Sequence, residues 1–484
     1  MERIGLAYDV AMKARQLKNL GFPQPFAKLA KWTAQRARTE FALSSEELKL
    51  RMETLLSDPD RLRDDPCFGE LARSMALHRQ GESPKVFTRR DAPAPWRQWG
   101  EEIEESALAQ MRVACDLPVA VRGALMPDAH VGYGLPIGGV LATRDAVIPF
   151  AVGVDIACRM RLSVLDLPAD ALRGQRDRLV RGLEEQTRFG VGQQFDRHRR
   201  EHEVMDEDWA VTPLTRNLKD KAWGQLGTSG SGNHFVEFGT LTLEAPALGL
   251  EAGTYLALLS HSGSRGAGAA VADHYAKLAM RVHPELPDEL RWLAWLGLDT
   301  AEGRDYWAAM ELMGRYAAAN HACIHRHVIA AVGGRALAVI ENHHNFAWRE
   351  THELPTGERC ELIVHRKGAT PASAGELGVI PGSMASPGYV VRGRGSEEAL
   401  RSASHGAGRR MSRRKAAETY RWGSVRDHLA HRGVELLSAG IDEVPFAYKD
   451  IDKVMAAQTD LVEVLARFDP RLVKMAPDGE RPED

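Results

Sequence analysis

The chain has 484 residues, of which 44 % are hydrophobic and 27 % charged; it is long enough for a large buried core and for two to four domains. A net charge of −3 excludes a uniformly basic nucleic-acid coat, while a local basic groove stays open because steering depends on where charge sits. The cysteines (Cys67, Cys115, Cys158, Cys323 and Cys360) are odd in number, widely spaced and without a C-x-x-C pair, which points to a reducing compartment and no disulfide framework. No basic-then-apolar leader stands at the N-terminus and no apolar run is long enough to cross a bilayer, so a cytoplasmic protein without membrane contact is expected.

Residues 1–85 read as a polar helical extension. Ser44 and Glu47 form a capping box, and Leu48, Met52 and Leu55 then share one helical face. Asp91–Trp96, rich in Ala and Pro, reads as a linker. From about residue 120 glycine turns separate short β-like runs at Ile137–Thr143, Ala146–Val152 and Arg159–Leu165. A helix is expected after Pro168, with Leu172, Leu179, Val180 and Leu183 on one face. Asn233–Phe238, Thr254–Ser260, Ala336–Glu341 and Glu361–Arg366 read as strands. Residues 270–332 read as mostly helical, with Trp307, Met310, Met313 and Tyr316 as a core stripe. The chain is expected to be helical after Arg409, and 477–484 to be a polar tail. Strands and helices mix without strict alternation, which favours an α+β fold over a doubly wound sheet.

Several segments carry chemistry. Gly153–Cys158 closes an apolar run with Asp155 and Cys158, a carboxylate and a thiol that can share a metal. Gly230–Glu237 places Asn233, His234 and Glu237 after glycines that allow close backbone approach. Leu258–Gly266 ends an apolar strand on His261. Ala338–Phe346 ends another on His343 and His344, either of which could ligate, with Asn345 able to orient a phosphate. Each segment alone also reads as an ordinary turn or a satisfied core histidine. Together, Asp155, Cys158 and the strand-terminal histidines exceed the roughly four ligands of a closed zinc site, and a bridged two-metal site is the sharper expectation. Ala403–Arg414 sets His405 between small residues, followed by a Gly-x-Gly step and arginines. That pattern suits an anion nest with a nucleophilic histidine, or simply a glycine turn before a basic helix.

In this order, the segments resemble the RtcB family of RNA-splicing (tRNA) ligases. The resemblance covers roughly residues 86–475, and rests on Met126–Gly134, Gly153–Cys158, Gly227–Glu237, His261–Gly266 and His344-Asn345. It continues through His365–Ala369, Pro381–Met384 and His405–Arg409. It implies a catalytic domain over 86–476, with mixed sheets around a central metal and GTP cleft. It implies two Mn²⁺ ions held by Asp155, Cys158, His234, His261 and His344, with Cys158 bridging. His405 would become guanylylated. Asn233, His234, Phe235, Val236, Glu237, His344, Asn345, Pro381, Gly382, Ser383, Met384, His405, Gly406, Ala407, Gly408 and Lys474 would line the GTP site.

The implied reaction joins an RNA 3′-phosphate or 2′,3′-cyclic phosphate end to a 5′-hydroxyl end through an RNA-(3′)pp(5′)G intermediate. Broken RNA ends or tRNA halves would be the substrates, and an archease-type activator a partner. Arg392, Arg394, Arg409, Arg410, Arg413 and Arg414 are candidates for an RNA groove, with a solvated basic face as the plain alternative. Two departures mark a divergent paralogue. Where many members carry a serine before the aromatic matching Tyr389, this chain has Gly388, which removes a contact to the base; the extension before residue 86 is also unlike their short N-terminus. The competing expectations are a metal-dependent phosphoesterase that opens cyclic phosphates without sealing, and a binding protein that kept the fold without ligation.

Overall fold

The computed structural model describes residues 17, 20–23, 26–39, 41, 43–79, 87, 89–90, 92–195, 199–354 and 357–480. Two units separate, Met1–Thr88 and Arg89–Asp484. Residues 1–16 and 80–85 and a few positions between them in the expected N-terminal extension, and the last four residues of the expected tail, lie outside the described residues.

In the first unit helices run over Ala27–Thr39, Ser45–Ser57 and Gly69–Arg79. The second begins with the expected capping box: Ser44 Oγ accepts from Glu47 N–H, and the Glu47 carboxylate accepts from Ser44 N–H at 2.8 Å. Its buried face, Leu48, Met52 and Leu55, packs with Phe68 and Leu71 from the following segment.

The second unit is α+β and is built on two sheets. An eight-stranded sheet has the path Leu377–Ile380, Gly388–Gly393, Val462–Met475, Phe235–Leu243, Gly253–Ser262, Arg159–Leu165, Ala336–His343, with Glu435–Ser438 added alongside Val462–Met475. Its ends curl towards each other. The Asn342 side chain bonds both the backbone N–H (2.8 Å) and carbonyl (3.3 Å) of Val379, standing in for a ladder pair between the first and last strands. A five-stranded sheet runs Trp96–Gln98, Ala120–His130, Ile137–Thr143, Arg359–Lys367, Asn345–Glu353. The chain steps from one sheet to the other at His344, between Ala336–His343 and Asn345–Glu353.

The long helix Ala301–Ala331 packs behind the first sheet. Met310, Met313 and Tyr316 are buried there with Ile156, Val271 and Tyr275, while Trp307 packs half-buried at the edge, so three of the four residues of the stripe read from the sequence are core.

Several expected boundaries move. The run Ala146–Val152 is a two-residue strand, Ala146–Val147, followed by a helical turn over Pro149–Val152. Pro149 cannot donate to a ladder, and Ile148 N–H bonds His365 Nε2 at 2.9 Å rather than a strand. The helix after Pro168 is two pieces, Ala171–Gly174 and Arg176–Gln186, broken at Gln175. The stretch 270–332 is two helices, Arg265–Val282 and Ala301–Ala331, with an irregular connection. After Arg409 only short helices form, and the chain then lays down the 14-residue strand Val462–Met475 in the middle of the larger sheet. Pro470 sits in it because the pairing with Phe235–Leu243 is bulged between Pro470 and Leu472.

Candidate functional site

Four adjacent antiparallel strands present their ends on one edge of the larger sheet. Phe235–Leu243 and Arg159–Leu165 begin there; Gly253–Ser262 and Ala336–His343 end there. The register pairs His261 with Phe235 on one side and Met160 on the other, and His343 with Arg159. His234, Cys158 and His344 each lie one residue beyond a strand end, so His261 is flanked by them.

The resulting cluster is buried and close. Cys158 Sγ lies 3.4 Å from His234 Nε2 and 3.1 Å from His261 Nε2. His261 Nε2 is 3.2 Å from His344 Nε2, and His234 Nε2 is 3.2 Å from Asp155 Oδ2. Two triads of potential ligand atoms follow, Asp155–Cys158–His234 and Cys158–His261–His344, and Cys158 belongs to both.

The second neighbours fix these groups. His261 Nδ1 faces the Asn233 carbonyl at 3.0 Å; a carbonyl only accepts, so Nδ1 carries the hydrogen and Nε2 offers its lone pair to the cluster. Burial, followed by neighbouring His234, pushes His261 down to about 3, and burial holds His344 well below the usual imidazole range, so both are neutral ligand-type rings. Burial works against charge on Asp155, but His234 and Arg265 outweigh it and keep the carboxyl below its usual range. Ser264 N–H donates to Asp155 Oδ1 at 3.0 Å, and Gly263 leaves room for this carboxylate where a Cβ would overlap it. Convergent buried lone pairs of imidazole, thiolate and carboxylate fit a divalent transition metal, and the carboxylate admits Mn²⁺. The other candidate, His343, points elsewhere: its ring packs on Phe346 (5.1 Å) and Trp348 (4.9 Å).

A cavity of about 590 Å³ opens beside this cluster. Asn233, His234, Phe235, Glu237, His344, Asn345, Pro381–Met384 and His405–Gly408 all line it. Val236 and Lys474 do not. They face each other in register, on the side of the sheet opposite to Phe235, Glu237, Val473 and Met475. Val236 is fully buried with Leu179, Leu183 and Val328, and Lys474 Nζ donates to the carbonyls of Leu183 (3.2 Å) and Glu184 (3.4 Å). Strand alternation separates them from the other expected site residues. Asn345 spends its amide on the scaffold, accepting from Gly368 N–H at 2.8 Å and donating to the Asp155 carbonyl at 3.3 Å.

His405 follows the short strand Ser402–Ser404, which pairs with Ala369–Pro371. Its ring centroid is 4.9 Å from that of His344. Nδ1 is 2.6 Å from Oδ2 of the fully buried Asp128, and the same oxygen accepts from the backbone N–H of His405 (3.2 Å) and Gly406 (3.4 Å). Burial opposes charge on Asp128, yet His405 and then Lys449 hold its carboxyl below the usual range. An ionised Asp128 can only accept, so Nδ1 of His405 carries a hydrogen, and in the neutral tautomer Nε2 is the free lone pair.

Asp128 lies within the motif Met126–Gly134 but carries no local signal of its role, because its partner is 277 positions away. Lys367, which lines the cavity and is pushed down to about 7 by burial, was missed in the same way within His365–Ala369.

Among the arginines considered for an RNA groove, only Arg409 and Arg413 line the cavity. Both are committed to carboxylates: Arg409 to Glu443 at 3.0 Å, Arg413 to Asp442 at 3.0 Å and also to Glu443. Arg392 pairs with Glu463 at 3.6 Å, Arg414 with Glu418 at 2.8 Å, and Arg410 donates to the Phe446 carbonyl at 2.9 Å. Gly388 lines the cavity, while the neighbouring Tyr389 hydroxyl bonds Asp452.

A buried His–Cys–Asp cluster beside an aspartate-held histidine, on mixed α+β sheets, is therefore the centre of this chain. Residues 110–475 match the family described as tRNA-splicing ligase RtcB. The chain is 35 % identical over 414 residues to the RNA-splicing ligase RtcB of Escherichia coli (strain K12), covering 79 % of this chain and 97 % of that protein. It is 31 % identical over 438 residues to the tRNA-splicing ligase RtcB of Nanoarchaeum equitans, covering 76 % of this chain and 91 % of that protein. For the tRNA-splicing ligase RtcB of Thermococcus kodakarensis the identity is 32 % over 416 residues, with 72 % and 86 % covered. The chain belongs to the RtcB family.

Proposed function

We propose that this chain is a GTP- and Mn²⁺-dependent RNA ligase that joins 3′-phosphate or 2′,3′-cyclic phosphate ends to 5′-hydroxyl ends through a guanylylated His405. The observation that carries the reading is the His405–Asp128 pair set beside two donor triads that share Cys158. Asp155, Cys158, His234, His261 and His344 would hold two manganese ions, which supply charge neutralisation for crowded phosphate oxygens.

His405 Nε2 forms a bond to the α-phosphorus of GTP as the bond to the β-phosphate oxygen breaks, and pyrophosphate leaves. The ring gains positive charge in this step, and the buried Asp128 carboxylate stabilises it. An oxygen of the RNA 3′-phosphate then attacks the same phosphorus, and His405 departs as a neutral imidazole. The 5′-hydroxyl oxygen finally attacks the RNA 3′-phosphorus as the bond from that phosphorus to the GMP phosphate oxygen breaks, and GMP leaves carrying the hydroxyl proton. A cyclic end is first opened by water. Glu237, whose carboxyl burial raises well above its ordinary range, lines the cavity and can face a base edge. The backbone of Gly406–Gly408 can approach phosphate oxygens because no bulky side chains intervene.

The test is incubation with α-³²P-labelled GTP and Mn²⁺, followed by RNA end joining. The expected result is an acid-labile label on the protein, absent from His405→Ala, and sealed RNA. A metal-loaded, folded protein that takes no label from any nucleotide overturns the ligase reading. Opening of 2′,3′-cyclic phosphate ends by such a protein, without sealing, would favour the phosphoesterase, which leaves the His405–Asp128 pair without a role.

A further inference from the structure

The rim of the cavity carries an aromatic surface that the chemistry above does not use. Tyr133 is 65 % exposed, Trp292 40 % and Val131 47 %. The Tyr133 and Trp292 ring centroids are 5.5 Å apart with their planes tilted by 48°, so Trp292 buttresses the Tyr133 ring, and Phe150 meets Trp292 edge-on at 4.6 Å. Contiguous exposed aromatic and apolar side chains at a cavity mouth are the form that binding surfaces take. This surface is continuous with the centre: Val131, Tyr133 and Phe150 line the same cavity as His344 and His405.

The surface is also held in position. Gly132 exchanges two hydrogen bonds with the Gln110 amide, its N–H to Oε1 at 3.0 Å and its carbonyl from Nε2 at 2.5 Å. Lys367 Nζ donates to the Tyr133 carbonyl at 2.5 Å. The Trp292 backbone lies so close to Gly134 that a Cβ there would stand 2.7 Å from the Trp292 carbonyl oxygen, and Gly134 has φ +71°. Backbone fixed in this way sets where the aromatic side chains leave the chain, so less freedom is lost when a planar ligand lies on them. The aromatic surface is linked through the backbone to the reacting histidine. Lys367, which holds Tyr133, is followed by Gly368, where a Cβ would stand 3.2 Å from His405 Cε1.

We propose that Tyr133, backed by the tilted ring of Trp292, forms a stacking platform for the unpaired nucleobase of the RNA end whose phosphate or hydroxyl enters the cavity. The proposal rests on the RNA-end reading above. The occupant is a nucleobase because the platform offers uncharged π-faces, while the reacting groups of the same nucleotide belong beside His405. Every base has such a face, so the platform selects a frayed or single-stranded end and is tolerant of sequence.

The experiment is a double cycle on the full chain loaded with Mn²⁺. RNA oligonucleotides ending in a 3′-phosphate or a 5′-hydroxyl, each with a normal or an abasic terminal nucleotide, are titrated by fluorescence anisotropy against wild type, Tyr133→Ala and Tyr133→Phe. Removing the terminal base is expected to weaken wild-type binding about tenfold for one of the two ends, the size of a single stacking contact. Tyr133→Ala should weaken the intact end by a similar factor and the abasic end no further, whereas Tyr133→Phe should bind as wild type does. The end that responds identifies the strand on the platform; Trp292→Leu should repeat the pattern. An abasic end that binds as tightly as an intact one, or a Tyr133→Ala loss equal for both, overturns the platform. Labelling by GTP without RNA reports the ligase reading separately: label without a base effect sinks only the platform, and a base effect without label sinks only the ligation chemistry.

Discussion

Replacing Asp128 by Asn and by Ala separates the charge of the His405 partner from its role as an acceptor. One oxygen of Asp128 takes all three donors, His405 Nδ1–H at 2.6 Å and the N–H groups of His405 and Gly406 at 3.2 and 3.4 Å. The other oxygen has no hydrogen-bond partner among the described residues. An asparagine can therefore place its carbonyl oxygen on the three donors and its NH₂ at the vacant position. The His405 tautomer is then kept and only the charge is lost. A charge-assisted bond is about twice as strong as a neutral one, a difference of about 1–2 kcal/mol, and the predicted loss in guanylylation rate is about 5- to 30-fold. Alanine removes the acceptor altogether. It frees the ring and leaves buried N–H groups unpaired, so the rate should fall by about a thousandfold or more, with about 2 kcal/mol lost from unfolding stability. Single-turnover labelling with GTP, alongside urea unfolding of each variant, gives both quantities. Equal losses in Asn and Ala, or no loss in Asn, would refute the argument that the carboxylate stabilises a developing imidazolium.

Because Cys158 belongs to both donor triads, Cys158→Ala should strip both metals, whereas His234→Ala should strip one, as read by metal analysis after gel filtration in Mn²⁺. Gly263→Ala drives a Cβ into the Asp155 carboxylate; weaker metal retention and a stability loss of about 2 kcal/mol are expected, and wild-type values for both would show that the backbone yields freely. Glu350 is held down at about 2: burial works the other way, but Arg366, with His352, outweighs it. Its folded value lies below the unfolded one, so its contribution is complete above about pH 4.5 and fades as pH falls towards 2. Glu350→Gln should therefore lower stability at neutral pH and flatten acid unfolding within that window, by about 2 kcal/mol since the Arg366 guanidinium loses its charged partner. A variant with an unchanged acid-unfolding curve would contradict this.

Local chemistry was legible in the chain wherever neighbours in sequence do the work. The Ser44–Glu47 capping box, the Met310–Met313–Tyr316 stripe and the apolar runs that end on His261 and His344 are short-range patterns, and each leaves its mark within a few residues. The ordered series of motifs was enough to identify the family. Tertiary structure decided what those patterns could not contain. Val462–Met475 is a central strand because a bulge at Pro470 and partners on both sides accept it, against the local signal of the proline. Val236 and Lys474 fall on the far face because alternate side chains of a strand point to opposite sides. The cluster itself exists because four adjacent antiparallel strands bring two beginnings and two ends to one edge, and His405 gains its tautomer from Asp128, 277 residues earlier. A sequence fixes which groups can ligate or attack. Their convergence depends on strand order and register, which are set by long-range packing rather than by neighbouring residues.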